Sequence, residues 1–250
     1  MHTATRLVLL PAFWLAWSWP FGGNGGYFGD QSSWWKLVPR IWDGDWYAII
    51  ATDGYPKVLP INPEFDLVSQ NPWAFYPGFP YVVRGLMMIT GGSWDAVAPP
   101  TVFVLSFIAL CLVYILIKEA APRAVVARPQ LPFMVVTSIA VFPGSIALSV
   151  AYSEALALVL IAWTLLCLVR NQYGWVFVPI LMLSVTRGVL APIVAVIIWH
   201  TIHRYKDFGT SGRGFVKPRK SEMLALSLAV VVAGAMSFFW PAGAGDVTGR

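Results

Sequence analysis

The chain has few charged residues. Asp, Glu, Lys and Arg make up only 12% of its 250 residues, whereas hydrophobic residues make up 58% and aromatic residues 15%. Soluble domains carry about 25% charged residues, so this composition leaves too little polar surface to cover a water-soluble globule of this size. The composition therefore predicts an integral membrane protein.

Cysteine and histidine are also scarce. Cys111 and Cys167 both fall in apolar runs, which is typical of buried thiols and predicts neither a disulfide nor a redox role. The three histidines are scattered without the spacing of metal ligands, so we expect no metal and no other cofactor. Basic residues cluster in short loops rather than on one surface, which argues against nucleic acid as a partner.

Apolar segments alternate with short polar loops along the chain. This pattern predicts an all-α polytopic membrane protein, a single domain of residues 1–250 with about seven or eight membrane segments. The candidate segments are residues 4–20, 75–92, 98–117, 131–150, 155–169, 175–200 and 223–240. A bilayer core requires about 20 apolar residues, so residues 98–117 make a clear span. Residues 75–92 are short and contain Arg84, which favours a re-entrant or interfacial helix.

Two of these segments carry helix-breaking residues. Pro143-Gly144 predicts a bend or break within residues 131–150. Thr186-Arg187-Gly188 divides residues 175–200 into two limbs that meet near Arg187. The N-terminal run lacks an Ala-x-Ala cleavage site, so we interpret it as a retained first span rather than a signal peptide.

The loops differ in charge. Residues 21–74 hold six of the 12 acidic residues, whereas residues 203–222 carry six Lys or Arg against two acids. By the positive-inside rule, the basic loops at 118–128 and 203–222 face the cytoplasm, as does the N-terminus. The large 21–74 loop is then extracytoplasmic.

Residues 40–56 form the most informative stretch of that loop. Asp43 is a predicted N-cap for a helix that runs through about Asp53 and is ended by Gly54. Ile49 and Ile50 follow Trp46 by three and four residues, which predicts one apolar face. We expect this amphipathic helix to lie flat at the membrane interface, with Trp42, Trp46 and Tyr47 at headgroup depth.

Two carboxylates, Asp43 and Asp45, lie at the N-terminus of this helix. Their mutual repulsion favours a shared proton and suits the pair to proton transfer. The structural alternative is that Asp43 only caps the helix and that Asp45 is a first-turn acid favoured by the helix dipole.

Three motifs carry a resemblance to a known family. They are Trp42-Asp43-Gly44-x-Trp46-Tyr47, Ile-Ala-x-x-Gly-Tyr at residues 50–55, and Ala-Phe-Tyr-Pro-Gly-Phe-Pro at residues 74–80. In this order they resemble the signature of the PIG-V family, GPI mannosyltransferase 2 and its bacterial relatives in the GT-C superfamily. Tyr152-Ser153-Glu154 and Thr186-Arg187 extend the resemblance over most of residues 40–190.

The resemblance implies an inverting glycosyltransferase. Such an enzyme moves a mannose from a polyprenyl-phosphate donor to a glycolipid or lipoglycan acceptor on the extracytoplasmic side. The family's essential acid in the first outer loop corresponds to Asp43, which would take the proton of the attacking hydroxyl as general base, with Asp45 as the second candidate. The leaving phosphate needs positive charge, for which Arg187 is the first candidate and Arg84 the second. Arg84 is alternatively a snorkelling side chain at a helix end.

Other positions of the resemblance have two interpretations. Glu154 either hydrogen-bonds sugar hydroxyls or orients Arg187, or it is a first-turn acid favoured by the helix dipole. Tyr76, together with Trp42, Trp46 and Tyr47, is an expected substrate contact, but such aromatic residues also belong to interfacial belts.

The chain departs from the family in two respects. It is shorter than the family's members, which predicts a C-terminally truncated chain, and Gly188-Val189-Leu190 replaces a more polar segment after Arg187. The composition resembles that of high-GC bacteria and favours a bacterial plasma membrane. The competing hypothesis is a non-enzymatic multi-span protein, such as a transporter, a scramblase or an assembly subunit.

Overall fold

The computed structural model describes residues 39–62, 67–210, 220–238 and 240. The predicted first span (residues 4–20), the start of the 21–74 loop, residues 211–219 of the basic loop and the C-terminal tail lie outside the described residues.

Helices make up most of the described chain. They are α1 (Asp43–Thr52), α2 (Gly78–Thr90), α3 (Trp94–Ala120), α4 (Pro122–Ala127), α5 (Leu131–Val141), α6 (Glu154–Val169), α7 (Phe177–Ser184), α8 (Leu190–Thr210) and α9 (Lys220–Met236). Two 3-10 helices cover Pro72–Ala74 and Pro143–Leu148. A minimal antiparallel ladder pairs β1 (Ile61–Asn62) with β2 (Leu67–Val68). The predicted helical class is confirmed, and it is compatible with a helical membrane protein.

Within the described residues, α3 is the one helix long and apolar enough to cross a bilayer. Its 27 residues rise about 40 Å along the helix axis, which exceeds the roughly 30 Å of a hydrocarbon core. It contains the predicted span 98–117. The other apolar helical stretches of this part of the chain have 10–17 residues and are Leu131–Val141, Glu154–Val169, Leu190–Arg204 and Ser221–Met236, so the number of seven or eight membrane segments stays a prediction.

Both predicted helix breaks are present. Helix α5 ends at Val141, and the chain continues from Pro143 as a 3-10 helix because proline cannot supply the next backbone donor. Helix α7 ends at Ser184 and α8 begins at Leu190, so the interruption falls at Thr186-Arg187-Gly188 as predicted.

The chain divides into two compact units, Met1–Val159 and Leu160–Arg250. In the first unit, Ile50, Phe79, Val83, Trp94 and Val102 are fully buried. In the second unit, α8 packs against α9, and the fully buried side chains are Leu160, Ile180, Leu183, Leu190, Ile197 and Leu226.

Candidate functional site

Helix α1 begins one residue earlier than the sequence pattern predicts. Asp43 is the first helical residue, and Trp42 occupies the N-cap position without a side-chain capping bond. The prediction of Asp43 as the N-cap was therefore wrong. Trp42 has a φ of 47°, a backbone conformation that costs a non-glycine residue about 1–3 kcal/mol. The carboxylate of Asp43, which makes no capping bond, lies exposed at the positive end of the helix dipole.

The C-terminal end of α1 follows the prediction. The helix ends at Thr52, and the backbone N–H groups of Asp53 and Gly54 both donate to the carbonyl of Ile49. Gly54 has a φ of 85°, which is a conformation that glycine adopts at little cost.

The buried face of α1 differs from the predicted one. It consists of Gly44, Tyr47, Ala48, Ile50 and Ala51, whereas Trp46 and Ile49 are only half-buried. Small residues on a helix allow neighbouring chain segments to approach closely, so the core side is marked by Gly and Ala as well as by large side chains. The predicted face counted only the large apolar residues, and this is why it was misplaced.

Tyr47 is buried within the protein. Its ring packs edge-on against Phe75, Phe79 and Tyr152, with centroid distances of 5.5, 5.7 and 6.4 Å. Its hydroxyl lies 3.1 Å from the hydroxyl of Ser153. Tyr47 thus joins α1 to the Tyr152-Ser153-Glu154 segment, which makes it a structural residue of the site.

Gly44 lets the preceding chain lie directly against α1. A Cβ atom at this position would be 2.7 Å from the backbone oxygen of Pro39, which is too close for any side chain. The Pro39 carbonyl in turn accepts a hydrogen bond of 2.9 Å from the indole N–H of buried Trp94. Residues 39–44 are therefore held between α1 and the start of α3.

Arg40 links the acids of two helices. Its guanidinium donates to Asp45 on α1 at 3.0 Å and to Asp95 on α3 at 2.9 Å. Partial burial alone would lower the pKa of Arg40, but the hydrogen bonds and negative charges of Asp45 and Asp95 outweigh burial and raise it. Asp45 is accordingly part of an ion-pair network that fixes the N-terminus of α1, whereas Asp43 lies outside that network.

Tyr152 connects Asp43 to the start of α6. The backbone N–H of Asp43 donates to the Tyr152 hydroxyl at 3.3 Å, and that hydroxyl donates to the carbonyl of Ile41 at 3.3 Å. Burial raises the pKa of Tyr152 to about 12, with further contributions from the negative charges of Asp43 and Glu154. Both carboxylates therefore lie close enough to act on the same phenol.

The remaining predicted residues are distributed over the fold. Trp42 is exposed, Trp46 stacks on Phe75 with a centroid distance of 6.0 Å, and Tyr76 is half-buried. Arg84 is exposed on α2, and Arg187 belongs to the Leu160–Arg250 unit. The phosphate-binding roles of the two arginines stay predictions.

Three residues of the site were not assigned a role from the sequence: Arg40, Asp95 and Tyr152. Arg40 and Asp95 are 55 residues apart, and Tyr152 is 109 residues from Asp43. A charged residue near the start of an apolar segment was the available signal for Asp95, and the Tyr-Ser-Glu motif was the signal for Tyr152.

The arrangement offers general-base chemistry at Asp43. An exposed carboxylate held at a fixed helix end can accept a proton from a hydroxyl group that reaches it. Among the described residues, no group of three or more His, Cys, Asp and Glu is placed to hold a metal ion. A comparison with known proteins found no match to a family model, a curated protein or a solved structure.

Proposed function

We propose that this chain is a multi-span glycosyltransferase of the bacterial plasma membrane. It transfers a mannose from a polyprenyl-phosphate donor to a hydroxyl of a glycolipid or lipoglycan acceptor on the extracytoplasmic side. The proposal combines the PIG-V-like motifs of the sequence with the surroundings of Asp43.

The hydrogen bond from the backbone N–H of Asp43 to the hydroxyl of Tyr152 is the observation that carries the proposal. It joins the Trp42-Asp43-Gly44 motif to the Tyr152-Ser153-Glu154 motif across 109 residues. The two motifs are far apart in the sequence, and this hydrogen bond is consistent with both of them contributing to one active site.

The reaction assigns Asp43 the role of general base. An acceptor hydroxyl attacks the anomeric carbon from the face opposite the phosphate and gives its proton to the Asp43 carboxylate. The bond from the anomeric carbon to the phosphate oxygen breaks, its electron pair leaves with the phosphate, and the anomeric configuration inverts. Glu154 is proposed to hold sugar hydroxyls beside Asp43, and Arg84 to neutralise the leaving phosphate.

The exposure of α3 supports contact with lipid. Only 28% of its most apolar window is buried in the protein, whereas a core helix of a soluble protein would be mostly buried. Its exposed side chains include Phe103, Val104, Phe107 and Ile108. In water such a surface is unfavourable, but hydrocarbon accepts it without cost.

The test is mannose transfer in membrane vesicles supplied with polyprenyl-phosphate-mannose. Asp43→Asn should lower the turnover rate about 10²–10⁴-fold, because the hydroxyl loses its proton acceptor. Asp45→Asn is the matched control, since it makes the same chemical change two residues away and removes only a contact to Arg40. We expect it to retain most of the activity.

Other outcomes would revise or end the proposal. If Asp45→Asn is the inactive variant while Asp43→Asn is active, the base is Asp45 and the mechanism stands. If wild type and both variants transfer equally, the loop has no catalytic role. If wild-type vesicles transfer nothing, the non-enzymatic membrane protein becomes the better account.

A further inference from the structure

A second concave site lies at the other end of α1. It is a pocket of about 440 Å³ between one side of α1 and residues 53–56, 58–60 and 70–72. Small-molecule sites typically range from about 300 to 1,000 Å³. The pocket is therefore large enough for a sugar, and Trp46 is the lining residue for which the sequence already predicts a substrate contact.

The lining combines aromatic rings with a few hydrogen-bonding groups. Trp46 and Tyr55 contribute rings, Asp53 contributes a carboxylate, and Gln70 and Asn71 contribute amides. A pyranose has an apolar C–H face and a rim of hydroxyl groups. Aromatic rings pack against the C–H face, and carboxylate or amide oxygens accept hydrogen bonds from the hydroxyl groups. The lining matches this ligand class.

The aromatic wall is fixed in the absence of any ligand. The Tyr55 hydroxyl donates to the carbonyl of Phe75 at 2.8 Å, and the indole N–H of Trp73 donates to the carbonyl of Pro56 at 3.0 Å. The rings of Tyr55 and Trp73 are 4.6 Å apart. A preformed wall reduces the entropy lost on binding, which favours a real site over a surface irregularity.

The polar wall is fixed as well. The side-chain amide of Asn71 donates to the carbonyl of Ser69 at 2.9 Å, and its oxygen accepts from the backbone N–H of Trp73 at 3.0 Å. Asn71 therefore presents its remaining hydrogen-bonding capacity in one orientation. Gln70 beside it is exposed and can adjust to a ligand.

The charge of the pocket selects among sugars. Asp53 is acidic, and the described residues that line the pocket include neither lysine nor arginine. A phosphate group placed beside Asp53 would be repelled by its carboxylate, and the exposed Lys57, which follows the lining residue Pro56, is not part of the lining. The pocket therefore suits a neutral saccharide rather than the phosphate-linked donor.

The position of the pocket relates it to Asp43. Trp46, Ile49 and Asp53 share one stripe of α1, and Asp43 lies at the start of the same helix, about 60° around its axis from Trp46. Asp53 follows Asp43 by ten residues, which corresponds to a rise of about 15 Å and is longer than one sugar ring. A saccharide that reaches both ends of α1 must contain more than one sugar.

We propose that this pocket binds a neutral pyranose of the acceptor, at least one sugar away from the hydroxyl that reacts at Asp43. The acceptor is accordingly an oligosaccharide chain. The identification of this saccharide as the acceptor rests on the proposed function, whereas saccharide binding by the pocket does not depend on that function.

Binding is tested on the purified chain by saturation-transfer NMR with methyl α-mannobioside. Asp53→Asn should weaken binding roughly tenfold to hundredfold, as expected for the loss of hydrogen bonds to a carboxylate. Gln70→Ala should also weaken it, and this residue is exposed, so its replacement does not disturb folding. Gly85→Ala is the control, because an added Cβ there meets nothing within 4 Å and the residue lies outside the pocket, so mannobioside binding should be unchanged.

Charge selectivity supplies a second measurement. Mannose 6-phosphate should bind more weakly than methyl α-mannoside to wild type, and Asp53→Asn should reduce that difference. Equal or tighter binding of the phosphate would overturn the assignment to a neutral sugar.

The outcomes separate the pocket from the proposed function. Mannobioside binding that depends on Asp53, without transfer by wild type, would support the pocket and remove the transferase. Transfer by wild type with unchanged acceptor KM and unchanged binding in both pocket variants would support the transferase and overturn the pocket. Wild type that binds no mannobioside overturns the pocket in either case.

Discussion

Helices α1 and α3 belong to the same compact unit but are specified in different ways. The polar groups around α1 have named partners that are distant in sequence: Arg40 pairs with Asp95, and Asp43 pairs with Tyr152. Only 28% of the apolar window of α3 is buried in the described part of the chain. The position of α1 is determined by its contacts within the protein. The exposed side of α3 is instead suited to the lipid that we expect to surround it.

This difference predicts where substitutions matter. A change near α1 should be costly wherever it disturbs a contact, even when the side chain is small. A change on α3 should be costly on its inner side and nearly neutral on its outer side. Four predictions test the comparison, from the largest expected effect to the smallest.

The largest effect is expected for Gly44→Ala. The added methyl group would be 2.7 Å from the Pro39 oxygen, and relief of this clash should cost about 1–3 kcal/mol of unfolding free energy. Thermal unfolding in detergent measures it. Gly85→Ala on α2 is the matched control, because an added Cβ there meets nothing within 4 Å, and a helical Ala should stabilise by about 0.5–1 kcal/mol. Equal melting temperatures for the two variants would contradict the tight packing of residues 39–44.

The next effect separates the two sides of α3. Val102 is 0% exposed and Val104 is 53% exposed on the same helix. Val102→Ala should cost roughly 2 kcal/mol through the cavity that it leaves, whereas Val104→Ala should stay within about 0.5 kcal/mol of wild type. Both are measured by thermal unfolding in one detergent. A costly Val104→Ala would mean that the outer side of α3 is covered by protein.

Tyr152→Phe should have a smaller effect of about 1 kcal/mol, because it removes the hydroxyl that bonds Ile41 and Asp43. The effect should depend on pH. The folded-state pKa of Tyr152 is raised from 10.0 to about 12, so the stabilisation by the neutral phenol is complete below pH 10 and is lost as the pH rises towards 12.

The measurement is the stability difference between wild type and Tyr152→Phe as a function of pH. It should be constant from neutral pH to about 10 and then shrink, while the other tyrosines and the lysines titrate equally in both proteins. A difference that already shrinks between pH 7 and 9 would show that the phenol is not held neutral.

The smallest effect compares the two acids that bind Arg40. The Asp95 side chain is 29% exposed and that of Asp45 is 54% exposed, so water screens the second pair more strongly. Asp95→Asn should therefore cost more than Asp45→Asn, with both below about 1 kcal/mol. Added salt should narrow the gap between the variants in thermal unfolding experiments. A larger cost for Asp45→Asn would assign the main anchor of Arg40 to α1 instead of α3.

The features that the sequence predicted correctly depend on local chemistry. Pro143 and Gly54 act on the backbone within one or two residues, so the break after α5 and the end of α1 follow directly from the residue types. The N-terminus of α1 was not predicted correctly from the residue types. Trp42 has an unfavourable φ of 47°, and no local residue preference predicts that.

The candidate site was predictable only in part. Its acids, Asp43 and Glu154, could be selected as rare charges in an apolar chain, and the resemblance assigned both to one site. The role of Asp45 could not be separated from that of Asp43, because the difference between them depends on Arg40 and its second partner, Asp95. Contacts between residues 55 or more positions apart are determined by helix packing, which periodicity along one helix does not specify.

The backbone at Trp42 has a consequence for anyone who engineers a more robust form of this protein. Trp42→Gly would relieve a strained φ of 47° and should raise the melting temperature, yet it would delete a ring that is 54% exposed next to Asp43. The substitution Trp42→Gly is thus expected to raise stability and to lower activity. A library built for thermal resistance would select glycine there, and a library built for turnover would reject it.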